Sequence, residues 1–293
     1  MKSVGILMIG KKGSVALQHL RDNASELTDR IAFIVIGTDA NVKNDYSEEI
    51  RSISENLGIA TYQRSDFPEE TPPCKWIIAI GWKWMIDDPN EKLIVLHDSL
   101  LPKYRGFNPL VTAMIEGDNE IGVTAIQANE EVDAGPILAQ KSCEITYPIK
   151  IETVIDEVSM LYGEVLEELL SKDIRTMEKI AQDEAKATFS LWRNEEDYHI
   201  DWNQDAGCII RFIDAVGFPY KGASTYYKGE KIRILEAEEV KDLNIVNRVP
   251  GKILSINNNQ PTVVCRKGMI KIKSSNNENG YSHKFKSLRV RLQ

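Results

Sequence analysis

"VGILMIGKKGSVALQHLRDNASEL", residues Val4–Leu27, holds the reading that decides the fold. It opens on a continuous apolar run that ends in Gly10. A short run with no alternation marks a strand buried on both faces, as in a parallel sheet. The residues after Gly13 switch to helical spacing. The same succession then recurs along the chain. "IAFIVIGTD" (Ile31–Asp39) is a second buried strand, and "SEEIRSISENLGI" is a helix closed by Gly58. "KWIIAIGW" (Lys75–Trp82) and "KLIVLH" (Lys92–His97) are two more buried strands. This alternation predicts a doubly wound, Rossmann-like α/β domain with a parallel-rich sheet. "IGVTAIQAN" and "GPILAQKSCEI" read as a later pair of strands. "KIETVIDEVSMLYGEVLEELLSKD" reads as a long amphipathic helix.

The pattern changes near residue 190. "LWRNEEDYHIDWNQDA" is polar and aromatic and reads as a linker, followed by a short helix in "GCIIRFIDAVG". From "GASTYYKGEKIRILEAEEV" onward, short runs broken by turn signals predict a small C-terminal β-barrel or sandwich, the OB-like barrel being the form taken as the expectation. The expected division is 1–189 for the α/β domain, 190–205 for the linker and 206–293 for the barrel.

The 293 residues allow one large or two modest domains, and 42% hydrophobic against 27% charged residues is a globular balance. No apolar run approaches the roughly 18 to 20 residues of a membrane helix. The N-terminal run ends in Gly-Lys-Lys-Gly without a small-residue cleavage site, so it reads as a first strand rather than a signal peptide. Cys74, Cys143, Cys208 and Cys265 are far apart and lack metal-ligand spacing. Reduced thiols, a cytoplasmic location and no metal are the expectation. The net charge of −8 is uneven. Residues 1–205 carry 20 basic and 37 acidic side chains, a net −17, whereas residues 206–293 carry 16 and 7, a net +9. The basic tail either meets an anion or is a lysine-rich soluble surface.

"GKKGSVAL" follows the first strand but contains only Gly10 and Gly13. It lacks the Gly-x-Gly-x-x-Gly of a dinucleotide fold and is no Walker loop. Amides at a helix start, with Lys11 and Lys12, would suit a phosphate; otherwise this is an ordinary strand-to-helix turn. His97 closes a predicted parallel strand, at the edge where open α/β sheets bind ligands. It is either a catalyst or a satisfied core residue. In "NEEVDAGPI" (Asn129–Ile137), Asp133 either orients an imidazole or caps the turn before Ala-Gly-Pro.

"HDSLLPKYRGFNP" and "GVTAIQANEEVDAGPI", in this order and separation, resemble the 10-formyltetrahydrofolate-dependent formyltransferases. That family includes the methionyl-tRNA, glycinamide ribonucleotide and sugar-nucleotide enzymes. "PYKGASTYYKGEKIRILEA" and "VPGKILSI" are similar to the small barrel of the tRNA and sugar branches, so the resemblance spans nearly the whole chain. It implies 10-formyltetrahydrofolate as co-substrate, with no metal. It implies His97 and Asp133 as the catalytic pair. It places Ser99, Leu100, Leu101 and Pro102 in the folate-pocket wall, Trp84, Met85 and Ile86 against the pteridine, and Asn129, Glu130, Glu131 and Val132 in a loop closing over the ring. Trp82 and Trp84 also have a plain core-filling role open to them. One residue departs from the family pattern. Two places before the histidine the family carries an asparagine that polarises the formyl carbonyl, and here stands Val95, which has no donor. Asn108, a backbone amide or a protonated His97 would have to substitute, or the chain is an altered enzyme.

The resemblance and the charge together point to an acceptor amine on a nucleotide-linked amino sugar. An acidic catalytic domain repels a polyanion, whereas a few lysines hold one pyrophosphate. Lys11, Lys12, Asn108, Phe218 and Tyr220 are the candidate acceptor contacts, with domain-seam packing the other role open to the two aromatics. The variants "GFNPLV" and "GWKWMI" are similar to enzymes of 4-amino-4,6-dideoxy sugars in surface-glycan synthesis. The expected partner is this small molecule, with no nucleic acid and no membrane, and with room for a homodimer. The alternatives are a methionyl-tRNA formyltransferase, which the basic tail favours, and a non-catalytic folate-binding protein, which Val95 favours.

Overall fold

The computed structural model describes residues 2–39, 42, 44–68, 71–86 and 92–293, which fall into two compact units. The first comprises residues 1–110, 120–144 and 155–191, and the second comprises 111–119, 145–154 and 192–293.

The first unit is built on a seven-stranded sheet. In chain order it contains β1 (Val4–Met8), helix α1 (Gly10–Asn23), β2 (Ile31–Ile36), helix α2 (Ser47–Asn56), β3 (Ala60–Gln63), β4 (Trp76–Ile80) and β5 (Leu93–His97). A short β6 (Arg105–Gly106), then β7 (Glu120–Gln127), β8 (Ile137–Glu144), most of helix α4 (Ile151–Ser171) and a short β9 (Phe189–Ser190) follow, while helix α3 (Pro109–Glu116), between β6 and β7 in the chain, falls largely in the second unit. The strand order is β3-β2-β1-β4-β5-β7-β8. The first five pair in parallel, and β7 and β8 run antiparallel. The four apolar runs are therefore four of the parallel strands, the fifth being the half-exposed edge strand β3, and every residue of β1 is buried.

The order reverses direction between β1 and β4, the switch point beside which such sheets bind ligands. Helix α1 starts at Gly10 itself, so Gly-Lys-Lys-Gly forms its first turn rather than a loop ahead of it. The helix buries Gly13, Ser14, Ala16, Leu17 and Leu20 along one stripe. In α4 the buried positions Val158, Leu161, Tyr162, Val165, Leu166 and Leu169 recur at three- and four-residue spacing. Tyr162 carries the polar tip of that stripe.

The second unit adds helix α5 (Ala206–Ala215) and strands β10 (Ala223–Tyr227), β11 (Glu230–Val240), β12 (Ile253–Asn257), β13 (Gln260–Val264) and β14 (Met269–Asn277). The expected barrel strands form one antiparallel five-stranded sheet, ordered β10-β11-β14-β13-β12. Register shifts around Glu236 bend β11, as bulges do. The stretch ahead of α5, read as a linker, supplies packed residues of this unit. Trp202 is buried and donates its indole N–H to Thr225 Oγ1 at 2.9 Å. Glu195 is ringed by Lys221, Lys231 and Arg233. Burial alone would raise its pKa, but the three cations outweigh it and hold the carboxyl at about 2. Among the described residues, no helix is long and apolar enough to cross a membrane.

Candidate active site

His97 is the last residue of β5, held in register by Thr124 of β7. Its side chain is 8% exposed, so a bare imidazole there would be costly without partners. Two are present. Nε2 lies 2.9 Å from the Tyr104 carbonyl, and Nδ1 lies 3.5 Å from Asp133 Oδ2. A carbonyl only accepts, so the first bond requires a proton on Nε2. The 3.5 Å contact is an ion-pair approach rather than a formed hydrogen bond. Val95 lies two residues back on the same face of the strand and offers no donor.

Asp133 reaches His97 by an unexpected route. Strand β7 runs antiparallel to β5, so its C-terminal end lies beside the start of β5, where Ala128 N–H donates to Leu93 O. The loop after β7 must therefore double back along the length of β5. Asp133 sits in the left-handed region at φ 52, an uncommon conformation that Asp tolerates better than most residues. Its Oδ2 accepts from Gly106 N–H at 2.8 Å. Both glycines of this neighbourhood are sterically required. A Cβ on Gly135 would lie 1.8 Å from Gln127 O, and one on Gly106, at φ 100, would lie 2.6 Å from Ser190 O.

The loop Ser99–Pro102 is pinned by one buried hydroxyl. Thr124 Oγ1 donates to Ser99 O at 2.6 Å and accepts from Leu101 N and Gln140 Nε2 at 3.2 and 2.7 Å. Ser99 Oγ closes the turn by donating to Lys103 O at 2.6 Å. After β4, Trp84 stacks edge-on to Trp82 at 4.8 Å and lies beneath the Arg64 guanidinium at 4.4 Å. Met85 is 99% exposed, whereas Ile86 packs partly buried against the cluster around Phe33. Asn129, Glu130, Glu131 and Val132 are all exposed on the doubled-back loop. Asn108 is half-buried just past Gly106, again at positive φ. Lys11 and Lys12 are paired with the chain's own Asp156 and Asp98. Phe218 and Tyr220 belong to the second unit, in the turn between α5 and β10.

Sequence reasoning missed two groups. The first surrounds Asp98, the residue after His97. Its carboxylate accepts from Lys12 and from the hydroxyl of fully buried Tyr162, which also donates to Leu96 O at 3.1 Å. Burial works to raise the Asp98 pKa, but Lys12 and Tyr162 overcome it and hold the carboxyl below its usual range. Burial and the Asp98 charge push the Tyr162 phenol well above its own. The second group surrounds Arg105, which is 2% exposed. Its guanidinium grips Glu184 through two bonds of 2.9 and 2.7 Å and donates twice to Gln182 Oε1. A buried arginine must find acceptors, so the Arg-Gly pair in "KYRGF" was a usable signal; its partners lie more than 70 residues away.

This is a Rossmann-like sheet with a buried histidine facing a half-buried aspartate at the end of one of its parallel strands, joined to a separate antiparallel sheet unit. Residues 78–170 match the formyl transferase family, and residues 193–288 match the formyl transferase C-terminal domain. A methionyl-tRNA formyltransferase of Ehrlichia ruminantium (strain Welgevonden) is 34% identical over 218 residues, covering 70% of each chain. The chain belongs to the formyltransferase family. In fold it is similar to an N-formyltransferase from Helicobacter canadensis in complex with folinic acid and dTDP-3-aminofucose. That similarity has a TM-score of 0.66 at 17% identity, over 93% of this chain and 99% of that one. It is also similar to HypX from Aquifex aeolicus, with a TM-score of 0.61 at 22% identity, over 98% of this chain. The chain spans 46% of the length of HypX.

Proposed function

We propose that this formyltransferase carries a formyl group from 10-formyltetrahydrofolate to the amine of a nucleotide-linked amino sugar. The observation that carries the reading is the His97–Asp133 pair, whose two members are both held by the backbone of the Tyr104–Gly106 segment. The folate donor supplies an activated formyl group. Flat apolar ring systems are held by apolar walls plus a few fixed polar groups. The Thr124-pinned loop Ser99–Pro102 offers such a wall, and the exposed Met85 and Val132 add apolar surface nearby in sequence to Trp84 and Asp133.

His97 handles the proton in this reading. Nε2 is committed to the Tyr104 carbonyl, so proton uptake and release fall to Nδ1, which faces Asp133. A proton taken from the attacking amine makes both ring nitrogens donors, and that proton passes to N10 of the folate as the bond from N10 to the formyl carbon breaks and the new amide forms. Asp133 orients the ring and compensates its charge. Val95 supplies no hydrogen bond to a developing oxyanion, and Asn108 is the side chain placed two residues past Gly106 that could supply one.

Two observations support the sugar acceptor: residues 1–205, which hold the pair, carry a net −17, and the Helicobacter enzyme matches over nearly the whole of both chains. The second reading is a methionyl-tRNA acceptor, favoured by the 34% identity to the Ehrlichia enzyme and by the net +9 of residues 206–293. A transfer assay with 10-formyltetrahydrofolate separates them. The acceptors are dTDP-, UDP- and GDP-linked amino sugars and methionyl-tRNA. Formylation of a sugar nucleotide supports the first reading, formylation of the tRNA alone replaces it with the second, and tight folate binding with no acceptor used overturns both.

A further inference from the structure

The segment 182–190 reaches both members of the pair without entering it. Gln182 Nε2 donates to the carbonyls of Asp133 and Gly135, each at 2.8 Å. Its Oε1 is itself fixed by two bonds from buried Arg105, at 3.0 and 2.8 Å. Six residues on, Thr188 meets the other side. Its Oγ1 accepts from Tyr104 N–H at 2.9 Å, its carbonyl from Arg105 N–H at 2.9 Å, and its own N–H donates to Pro102 O at 3.1 Å. Tyr104 is the residue whose carbonyl holds His97 Nε2. Phe107 N–H then donates to Ser190 O at 2.9 Å, and β6 pairs with β9.

We propose that residues 182–190 form a positioning strap. Gln182 sets the backbone that carries Asp133, Thr188 sets the carbonyl that carries the His97 ring, and Arg105 ties the two ends together. The inference rests on the His97–Asp133 reading of the site. Neither Gln182 nor Thr188 contacts a reacting group in it, so both act through the pair. Asp133 stands at positive φ and Tyr104 at φ 61, conformations that need outside support to persist. The strap supplies a hydrogen bond to the backbone of each. Pair geometry held by long-range bonds is sensitive, because a misplacement of about 1 Å can cost roughly 100-fold in rate.

The test uses the full chain and three near-isosteric variants. Gln182→Glu keeps an acceptor for Arg105 but sets a carboxylate oxygen against two carbonyls. Thr188→Val removes the hydroxyl, and Thr188→Ser restores it. The decisive readout is the ring 15N spectrum of His97, assigned by loss of its signals in His97→Gln and needing no substrate. Wild type is expected to show a proton on Nε2 that exchanges slowly with solvent. Gln182→Glu and Thr188→Val should each shift the ring nitrogens and speed that exchange, and Thr188→Ser should return the wild-type spectrum. Turnover of a dTDP-linked amino sugar should fall roughly 10- to 100-fold in kcat in the first two variants, with KM for 10-formyltetrahydrofolate nearly unchanged. A spectrum and kcat unchanged in both variants overturn the strap. If Thr188→Val does not fold, Gln182→Glu decides alone. If His97→Gln keeps full turnover, the reading of the pair has failed, while the spectra still report whether the strap holds the ring.

Discussion

Replacing Lys12 by Met removes the cation from an ion pair that is largely enclosed. The Asp98 side chain keeps 14% of its exposure and that of Lys12 keeps 24%. Breaking a buried pair from one side costs about 3–5 kcal/mol, because the remaining charge is left without compensation. Here the Tyr162 hydroxyl still donates to the carboxylate, and part of it still meets water. The expected loss at neutral pH is therefore nearer about 2–3 kcal/mol. For a unit of this size that lowers the Tm by roughly 5–10 °C. The loss also has a defined pH dependence. In the wild type the Asp98 pKa is depressed, so its stabilising contribution is complete above the unfolded value near about 4 and fades as pH falls below it. Without Lys12, burial is the leading influence and raises the carboxyl instead. Its penalty is then absent at low pH and grows as pH rises through the raised value. The gap between wild type and Lys12→Met should be wide at pH 7 and should narrow steadily toward pH 4. The double variant Lys12→Met/Asp98→Asn removes the orphaned charge and should recover most of the loss. Thermal melts of the three proteins across that range are the assay. A gap that is small at pH 7, or that stays constant with pH, would refute the argument.

Gly106→Ala should cost about 1–3 kcal/mol, since it forces a side chain to φ 100 and drives a Cβ to 2.6 Å from Ser190 O; a denaturant titration measures it, and an unchanged midpoint would count against the required glycine. Asp133→Asn should lower kcat about 100-fold or more while folinic acid binding, followed by calorimetry, persists. In the second unit, the Glu195 carboxyl held at about 2 contributes fully above its usual value and loses that contribution as pH falls toward 2. Glu195→Gln should therefore differ from wild type in stability at pH 6 and converge with it near pH 2, as read by Trp fluorescence in acid titrations.

The parallel sheet was legible because burial on both faces leaves an unbroken apolar run, and Val4–Gly10, Ile31–Ile36, Trp76–Ile80 and Leu93–His97 all have one. The position of His97 at a strand end followed from the same runs. The antiparallel placement of β7 was not legible, since its strand pattern has no mark of direction, and the backward path of the Asp133 loop was hidden with it. The Asp98–Lys12–Tyr162 group and the strap were hidden for a different reason. They are polar contacts between residues distant in sequence, and even where one partner, such as Arg105, stands out, nothing near it in the chain shows what it meets. Lys12 was read as an anion contact because local sequence cannot show that Asp98 already faces it.

The position of the strap in the chain has a consequence for how the protein is made. All seven strands of the main sheet have been synthesised once the ribosome has passed Glu144. The histidine and the aspartate have by then both been made. Gln182 and Thr188 are translated later, after α4, so the residues that position the pair follow the pair itself along the chain. The strands of the sheet and the strap that arms its site are thereby supplied in succession by the same polypeptide.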